Sequence, residues 1–214
     1  MKLYLVRHGC SAGNVPGRMT GWSEHPLTRL GKAQARRVAA RLASLGPMPV
    51  YASDLPRALD TARVIAARWS AAEAPVGVIP DRRLREIDLG DYEGRSWDEL
   101  TADHELAAAF AREPLGTALP GGESLAMLAE RVVAAFEEIA RGEHTVACLV
   151  AHDGPIRSIL NYVLRVPAER HWAISTSHGG LSLLETSGDW VSVRFVNDTS
   201  HLRGLRAEGD GAAS

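Results

Sequence analysis

Leu3-Tyr4-Leu5-Val6 is a run of β-forming apolar residues with no polar alternation, and it stops abruptly at Arg7-His8-Gly9. A short run of this kind reads as a strand covered on both faces, as in a largely parallel sheet between helix layers. Ligands of open α/β sheets gather outside the carboxyl ends of the strands. Arg7 and His8 stand where such a strand would run out, and Gly9 is expected to let the backbone turn sharply there. The triplet alone says little. Two later strands, however, end in the same manner.

Residues 9–27 form a Gly-, Ser-, Asn- and Pro-bearing loop, and a loop of that length in a compact domain usually has a function. A helix is predicted from Thr28 to Leu45, with Ala35, Val38, Ala39, Leu42 and Leu45 on its apolar stripe and Gly46-Pro47 ending it. Val50-Tyr51-Ala52 reads as a second strand. It leads to Ser53-Asp54-Leu55-Pro56-Arg57, where Pro56 suits a first helical turn and Ser53 or Asp54 its cap. A third strand is expected at Val76–Ile79 and a loop at 80–95. Ser96 with Glu99 has the form of a capping box. Helices are predicted at Asp103–Arg112 and Ser124–Arg141, the latter with the cleanest amphipathic stripe in the chain. Thr145–Ala151 reads as a buried strand ending at His152, with a helix after it. Gly180–Thr186 and Trp190–Asn197 flank Ser187-Gly188-Asp189, a hairpin pattern.

Strand–helix alternation followed by a terminal hairpin predicts an α/β fold. It is a three-layer αβα sandwich: a mostly parallel central sheet with an antiparallel edge strand and helices on both faces. Residues 1–203 are expected to make one domain and residues 204–214 a flexible tail. A net charge of −2 gives no polyelectrolyte signature, so nucleic acid is not an expected partner. No apolar run approaches the roughly 18–20 residues that span a bilayer. The N-terminus lacks a basic–apolar–cleavage pattern, so a cytoplasmic location is expected. Cys10 and Cys148 suggest neither a disulfide framework nor a zinc site. Nothing in the composition marks an oligomer interface.

Three expected strand ends thus contribute Arg7 and His8, Arg57, and His152, and the crossover rule sets such ends along one edge of one sheet. Two guanidiniums and two imidazoles in one cleft suit a phosphate monoester, since arginine matches phosphate oxygens with a two-pronged donor fork. Helix N-termini after Arg57 and His152 would add backbone donors. A neutral imidazole is a nucleophile near pH 7, provided that one nitrogen is free and the other is held by a hydrogen bond. The departing alkoxide then needs a proton, for which Glu86, in a loop among arginines, is the best-placed carboxyl group.

Together these motifs resemble the histidine phosphatase superfamily, the phosphoglycerate mutase-like fold. The matching stretches are Arg7-His8-Gly9, Ser53-Asp54-Leu55-Pro56-Arg57-Ala58 with Thr61, Leu84-Arg85-Glu86, and His152 with Gly154. Pro26-Leu27-Thr28 with Gly31 and Gln34, and Gly121-Gly122-Glu123-Ser124, fit the same pattern over roughly residues 1–200. The resemblance implies that His8 is phosphorylated and that Glu86 is the proton donor. It also implies that Arg7, Arg57 and His152 complete the phosphate pocket, that Asn14 lies in it, and that no metal or other cofactor is used. Cys10, Glu24 and Asp153 depart from the residues common in the family, and none of the three removes a catalytic group.

Taken singly, each residue has a plainer reading: His8 a structural histidine, Arg57 a helix-start ion pair, Glu86 a partner of Arg82, Arg83 or Arg85. Cys10 as a thiol nucleophile fails on spacing, because Pro16 stands where a phosphate loop needs arginine. Cys148 and the tryptophans read as core or rim, and His178 or His201 as lining the cleft's rim. The stretch after Glu86, Ile87-Asp88-Leu89-Gly90-Asp91-Tyr92-Glu93-Gly94, is short and acidic, whereas mutases of the family carry a basic, tyrosine-bearing stretch there. The expected function is therefore hydrolysis of a small phosphorylated metabolite. The alternatives are a phosphoglycerate mutase-type transfer and a phosphate-binding protein without turnover.

Overall fold

The computed structural model of the chain describes residues 1–14, 18–69, 76–188 and 190–205. In chain order the elements are β1 (Lys2–Arg7), α1 (Arg29–Leu42), β2 (Val50–Ala52), α2 (Pro56–Ala67) and β3 (Val78–Pro80), then α3 (Trp97–Ala102), α4 (His104–Arg112) and α5 (Leu125–Ala140). They continue through β4 (Val146–Ala151), α6 (Asp153–Leu164), β5 (Leu181–Ser187) and β6 (Trp190–Asp198). Among the described residues the six strands form one sheet in the order β3-β2-β4-β1-β5-β6. The first four run parallel, β5 lies antiparallel to β1, and β6 antiparallel to β5.

The strand pleat sorts side chains between two cores. Leu3, Leu5, Ala147, Leu149 and Ala151 face one way and pack with α5 and α6 through Leu128, Val132, Phe136, Ile156 and Ile159. Val6, Cys148, Val150, Val50 and Ala52 face the other way, against Val38 and Leu42 of α1 and Ala58, Ala62 and Ile65 of α2. This is the expected three-layer sandwich, and it explains the absence of alternation in β1 and β4: each strand has apolar partners on both faces. A smaller apolar cluster, Leu89, Tyr92, Leu100 and Leu119 with Phe110 packed on it, gathers the segment from 87 to 119 beside the sandwich.

Several local expectations shift. Helix α1 has Thr28 as its cap, the hydroxyl accepting from Gly31 N, and it gives way at Ala43 to a single tight turn. Residue 55, not Ser53 or Asp54, caps α2. Asp54 is drawn off into a two-pronged pair with Arg85 (2.6 and 2.7 Å) and Ser53 toward His152, so tertiary partners outcompete the local cap. β3 begins at Val78, not Val76, because its parallel register with β2 runs from Val50↔Val78 to Ala52↔Pro80. The Ser96–Glu99 capping box is present in both directions. In the hairpin, Ser187 pairs with Trp190 and Gly188 takes φ +56°; Asp189 lies outside the described residues, as do residues 206–214 of the expected tail. No helix among the described residues is long and apolar enough to cross a membrane.

Candidate active site

The parallel register sets the site. Arg7 pairs with Ala151 and Ala52 with Val150, so His8, His152 and Ser53 each follow directly on the carboxyl end of a neighbouring strand. The sheet ladder continues just far enough to fix them: His8 N donates to Ala151 O (2.9 Å) and Ser53 N to Val150 O (3.0 Å). Gly9 does not take a positive φ. Its necessity is space, since a Cβ there would overlap the backbone of Gly31 at the start of α1. Gly9 N also donates to Thr61 Oγ1 of α2 (3.1 Å), which ties the end of β1 to both helices on that face.

His8 is 3% exposed. Its Nδ1 lies 2.7 Å from Gly9 O, and since a carbonyl only accepts, Nδ1 carries the proton. The Nε2 lone pair is thereby left on the other side, where Arg57 Nε donates to it at 3.3 Å. Burial, with Arg57 beside it, holds the His8 pKa well below the usual imidazole value, so the ring is neutral. The geometry and the electrostatics agree on one species, a neutral imidazole whose unprotonated nitrogen is Nε2.

Arg57, fully buried in the first turn of α2, is held by carbonyls. Its terminal nitrogens donate to Ser23 O (2.9 Å) and Gly21 O (2.6 Å). Loop 21–23 is fixed in turn by Glu93, whose carboxylate accepts from Gly21 N (2.9 Å), Trp22 N (3.1 Å), Ser23 N (3.3 Å) and Ser23 Oγ (2.5 Å). His152 stacks edge-on to His8 with ring centroids 4.9 Å apart, and its Nε2 lies 2.9 Å from Ser53 Oγ. Its Nδ1 is buried without a partner. Burial and Arg57 press its pKa well below the ordinary range too.

Arg7 donates to Thr176 O and reaches His178 Nε2 (3.2 Å), while Asp153 lies 3.6 Å away. The Arg7 Nε is buried with no partner. His178 sits within 5.3 Å of His8, centroid to centroid, and burial next to Arg7 lowers its pKa to about 4. Asp153 is a hub: it accepts from Thr176 N (2.9 Å) and Thr176 Oγ1 (2.7 Å), and pairs with Arg157.

Glu86 takes none of the arginine partners open to it in sequence. Arg85 is claimed by Asp54, and Arg83 by Asp81 and Glu138. The Glu86 carboxylate instead accepts from Ile87 N (2.9 Å) and Gly154 N (3.2 Å). Burial raises its pKa above the ordinary carboxyl value, against the lowering by these two bonds. A Cβ on Gly154 would overlap that carboxylate, so the glycine is what lets the acid approach the start of α6. Arg131 locks the loop from behind, donating to Arg83 O, Arg85 O and Glu86 O (2.7–2.8 Å) and pairing with Glu123.

Arg7, His8, Arg57 and His152 therefore meet at one edge, with Glu86 bonded to the same turn that His152 opens. Asn14 is held at its Oδ1, which accepts from Ser11 N and Ser11 Oγ (both 2.8 Å). The expected helix donors are also altered, because α2 starts at Pro56 and the Gly154 N–H faces Glu86. Sequence reasoning missed Glu93, Arg131, Asp153 and Ser53 as supports, and assigned His178 only to the rim. Glu93 stood in a stretch read merely as acidic. An acid after Tyr92 and before Gly94 carries no local signal of the loop it will hold.

Beside Glu86, Asp153 and Gly154 opens a cavity of about 540 Å³, walled on its far side by residues of the 87–119 segment. The fold and this edge define an α/β protein with a buried imidazole–guanidinium cleft. The family model of the histidine phosphatase superfamily (branch 1) matches residues 3–199, and the chain belongs to that superfamily. A probable phosphoglycerate mutase of Proteus mirabilis, GpmB, is 34% identical over 211 residues, spanning 94% of this chain and 95% of that protein. Among solved structures, Bacillus stearothermophilus YhfR superposes with a TM-score of 0.82 at 29% identity, over 94% of this chain and 98% of that one. A mycobacterial glucosyl-3-phosphoglycerate phosphatase gives 0.80 at 29% identity, over 92% and 99%. Similar proteins thus include both a phosphatase and one named as a mutase.

Proposed function

We propose that the protein is a phosphomonoesterase that hydrolyses a small phosphorylated metabolite through a phosphohistidine on His8. The observation that carries this reading is the His8 ring itself: neutral, its Nδ1–H committed to Gly9 O, its Nε2 3.3 Å from Arg57 Nε, with the His152 and His178 rings 4.9 and 5.3 Å away centroid to centroid. Nε2 attacks phosphorus as the P–O bond to the alcohol breaks. Arg7 and Arg57 neutralise the phosphoryl oxygens and the neutral His152 ring adds a hydrogen-bond donor beside them, a preorganised contribution on the order of 3–4 kcal/mol per donor. Glu86, whose hold on a proton burial strengthens, gives its proton to the departing alkoxide. The Glu86 carboxylate then takes a proton from water, whose oxygen attacks phosphorus, breaks the P–N bond and restores His8. The guanidiniums supply the charge that a metal supplies elsewhere, so the reading is metal-independent.

The relatives named as probable mutases favour a second reading, in which the phosphoryl group returns to a hydroxyacid. The acidic stretch after Glu86 disfavours it, because a retained bisphosphate and a substrate carboxylate need added cations there.

The test is release of phosphate from an aryl and an alkyl phosphate between pH 4.5 and 8, with EDTA, for wild type, His8→Ala and Glu86→Gln. Wild-type turnover of the alkyl ester falls as pH drops through the depressed His8 pKa and again as pH rises through the elevated Glu86 pKa. His8→Ala abolishes both reactions and leaves no base-stable phosphoprotein. Glu86→Gln loses the alkaline limb and roughly 10²–10⁴-fold of alkyl turnover, and much less of aryl turnover. Phosphate release by His8→Ala at the wild-type rate refutes the phosphohistidine route.

A further inference from the structure

Resting on that phosphatase reading, we propose that the alcohol half of the substrate is uncharged and largely hydrocarbon, an aromatic, terpenoid or long-chain alkyl group held in the cavity beside Glu86. The cavity begins where the leaving oxygen must be protonated, since Glu86, Asp153 and Gly154 are part of its wall. From there its lining is Met19, Leu89, Trp97, Leu100, Phe110 and Trp172, contributed by loop 18–20, the small cluster over 87–119 and the segment after α6. About 540 Å³ lies within the range of pockets that enclose a whole organic ligand.

The polar groups on the wall are already committed. Thr20 Oγ1 donates to Gly13 O (2.7 Å) and Thr117 Oγ1 to Ala109 O (3.1 Å), so neither hydroxyl proton is free for a sugar. Glu123 is occupied by Arg131 and by Asp88 N. Among the described lining residues Arg157 is the single Lys or Arg, and it pairs with Asp153 while its guanidinium lies 4.5 Å over the Trp172 ring. A carboxylate or second phosphate on the alcohol would meet three acidic residues and one neutralised cation. Burying a charge without a partner is strongly unfavourable, whereas each buried methylene is favourable. The wall therefore selects hydrocarbon and rejects phosphoglycerate-like and sugar alcohols. Exposed tryptophans fit the same picture. Trp97 and Trp172 are 55% and 59% exposed, an unfavourable position for indole unless something apolar covers it.

Methyl-, butyl- and octylphosphonate, which cannot be hydrolysed, separate this pocket from the catalytic reading. Calorimetry on the wild-type protein is expected to give one site per chain, with affinity rising roughly fourfold per methylene and a negative heat-capacity change. Trp97→Ala, a change at a half-exposed side chain that leaves the fold intact, is expected to flatten the butyl-to-octyl gain severalfold. In turnover, octyl phosphate is expected to exceed glucose 6-phosphate and 3-phosphoglycerate in kcat/KM by at least tenfold. Affinity independent of chain length, or 3-phosphoglycerate bound more tightly than octylphosphonate, overturns the proposal. A normal phosphonate series with no hydrolysis of any ester upholds the pocket and removes the phosphatase reading.

Discussion

Glu93→Gln tests whether the phosphate edge depends on a carboxylate that never touches it. The Glu93 carboxylate accepts from the backbone of Gly21, Trp22 and Ser23 and from the Ser23 hydroxyl, and the carbonyls of Gly21 and Ser23 accept from Arg57. Glutamine keeps the shape. It removes the charge, however, and replaces one oxygen with an NH2 group. Oε1 serves Gly21 and Ser23, and Oε2 serves Gly21 and Trp22, so either orientation of the amide sets a donor against a backbone N–H. A hydrogen bond to a charged group is worth about 1.5–3 kcal/mol, and one lost outright with the others weakened gives about 2–4 kcal/mol. For a chain of 214 residues that corresponds to a fall in Tm of roughly 4–16 °C. Catalysis suffers as well, because a looser loop 21–23 leaves Arg57 without its two carbonyl anchors; a misplacement near 1 Å costs on the order of 10²-fold. The assay is thermal unfolding followed by circular dichroism, with kcat and KM on an aryl phosphate measured well below the new Tm. An unchanged Tm together with an unchanged kcat refutes the chain of support from Glu93 to Arg57.

Two further outcomes rest on the same structure. His8, His152 and His178 have depressed pKa values, that of His178 at about 4, so they are neutral in the folded protein where the unfolded chain would protonate them. Their contribution is fully present above about pH 6.5 and is lost as pH falls toward the folded values, so Tm drops between pH 7 and 5. His178→Gln makes that drop shallower, and an equal slope for wild type and variant refutes the assignment. Arg131→Ala leaves three loop carbonyls and the Glu123 carboxylate without their partner, an expected loss of roughly 3–5 kcal/mol in urea unfolding. A loss below 1 kcal/mol would mean that water replaces the guanidinium.

The parallel half of the architecture was legible because burial on both faces leaves a signature in composition: β1 and β4 are unbroken apolar runs. Their ends were legible for the same reason, since Arg7, His8 and His152 interrupt apolar runs and a parallel register aligns such interruptions. Arg57 was marked by the helix-starting Pro56. Local chemistry also fixed the Ser96–Glu99 box, whose partners are three residues apart.

What the tertiary structure alone decided is who partners whom across long separations. Ser53 and Asp54 looked like caps and went instead to His152 and Arg85, 99 and 31 residues away. Two of Glu86's neighbouring arginines went elsewhere, Arg85 to Asp54 and Arg83 to Asp81 and Glu138. His178 escaped the strand-end rule because β5 is antiparallel: its beginning, not its end, lies beside the carboxyl end of β1, where Gly179 N donates to Arg7 O. Sequence records periodicity and local hydrogen bonds, whose range is a few residues. The strength of Arg57's seat, the neutrality of His8 and the raised pKa of Glu86 depend on burial and on contacts between distant segments, and those exist only once the sheet has closed its two cores.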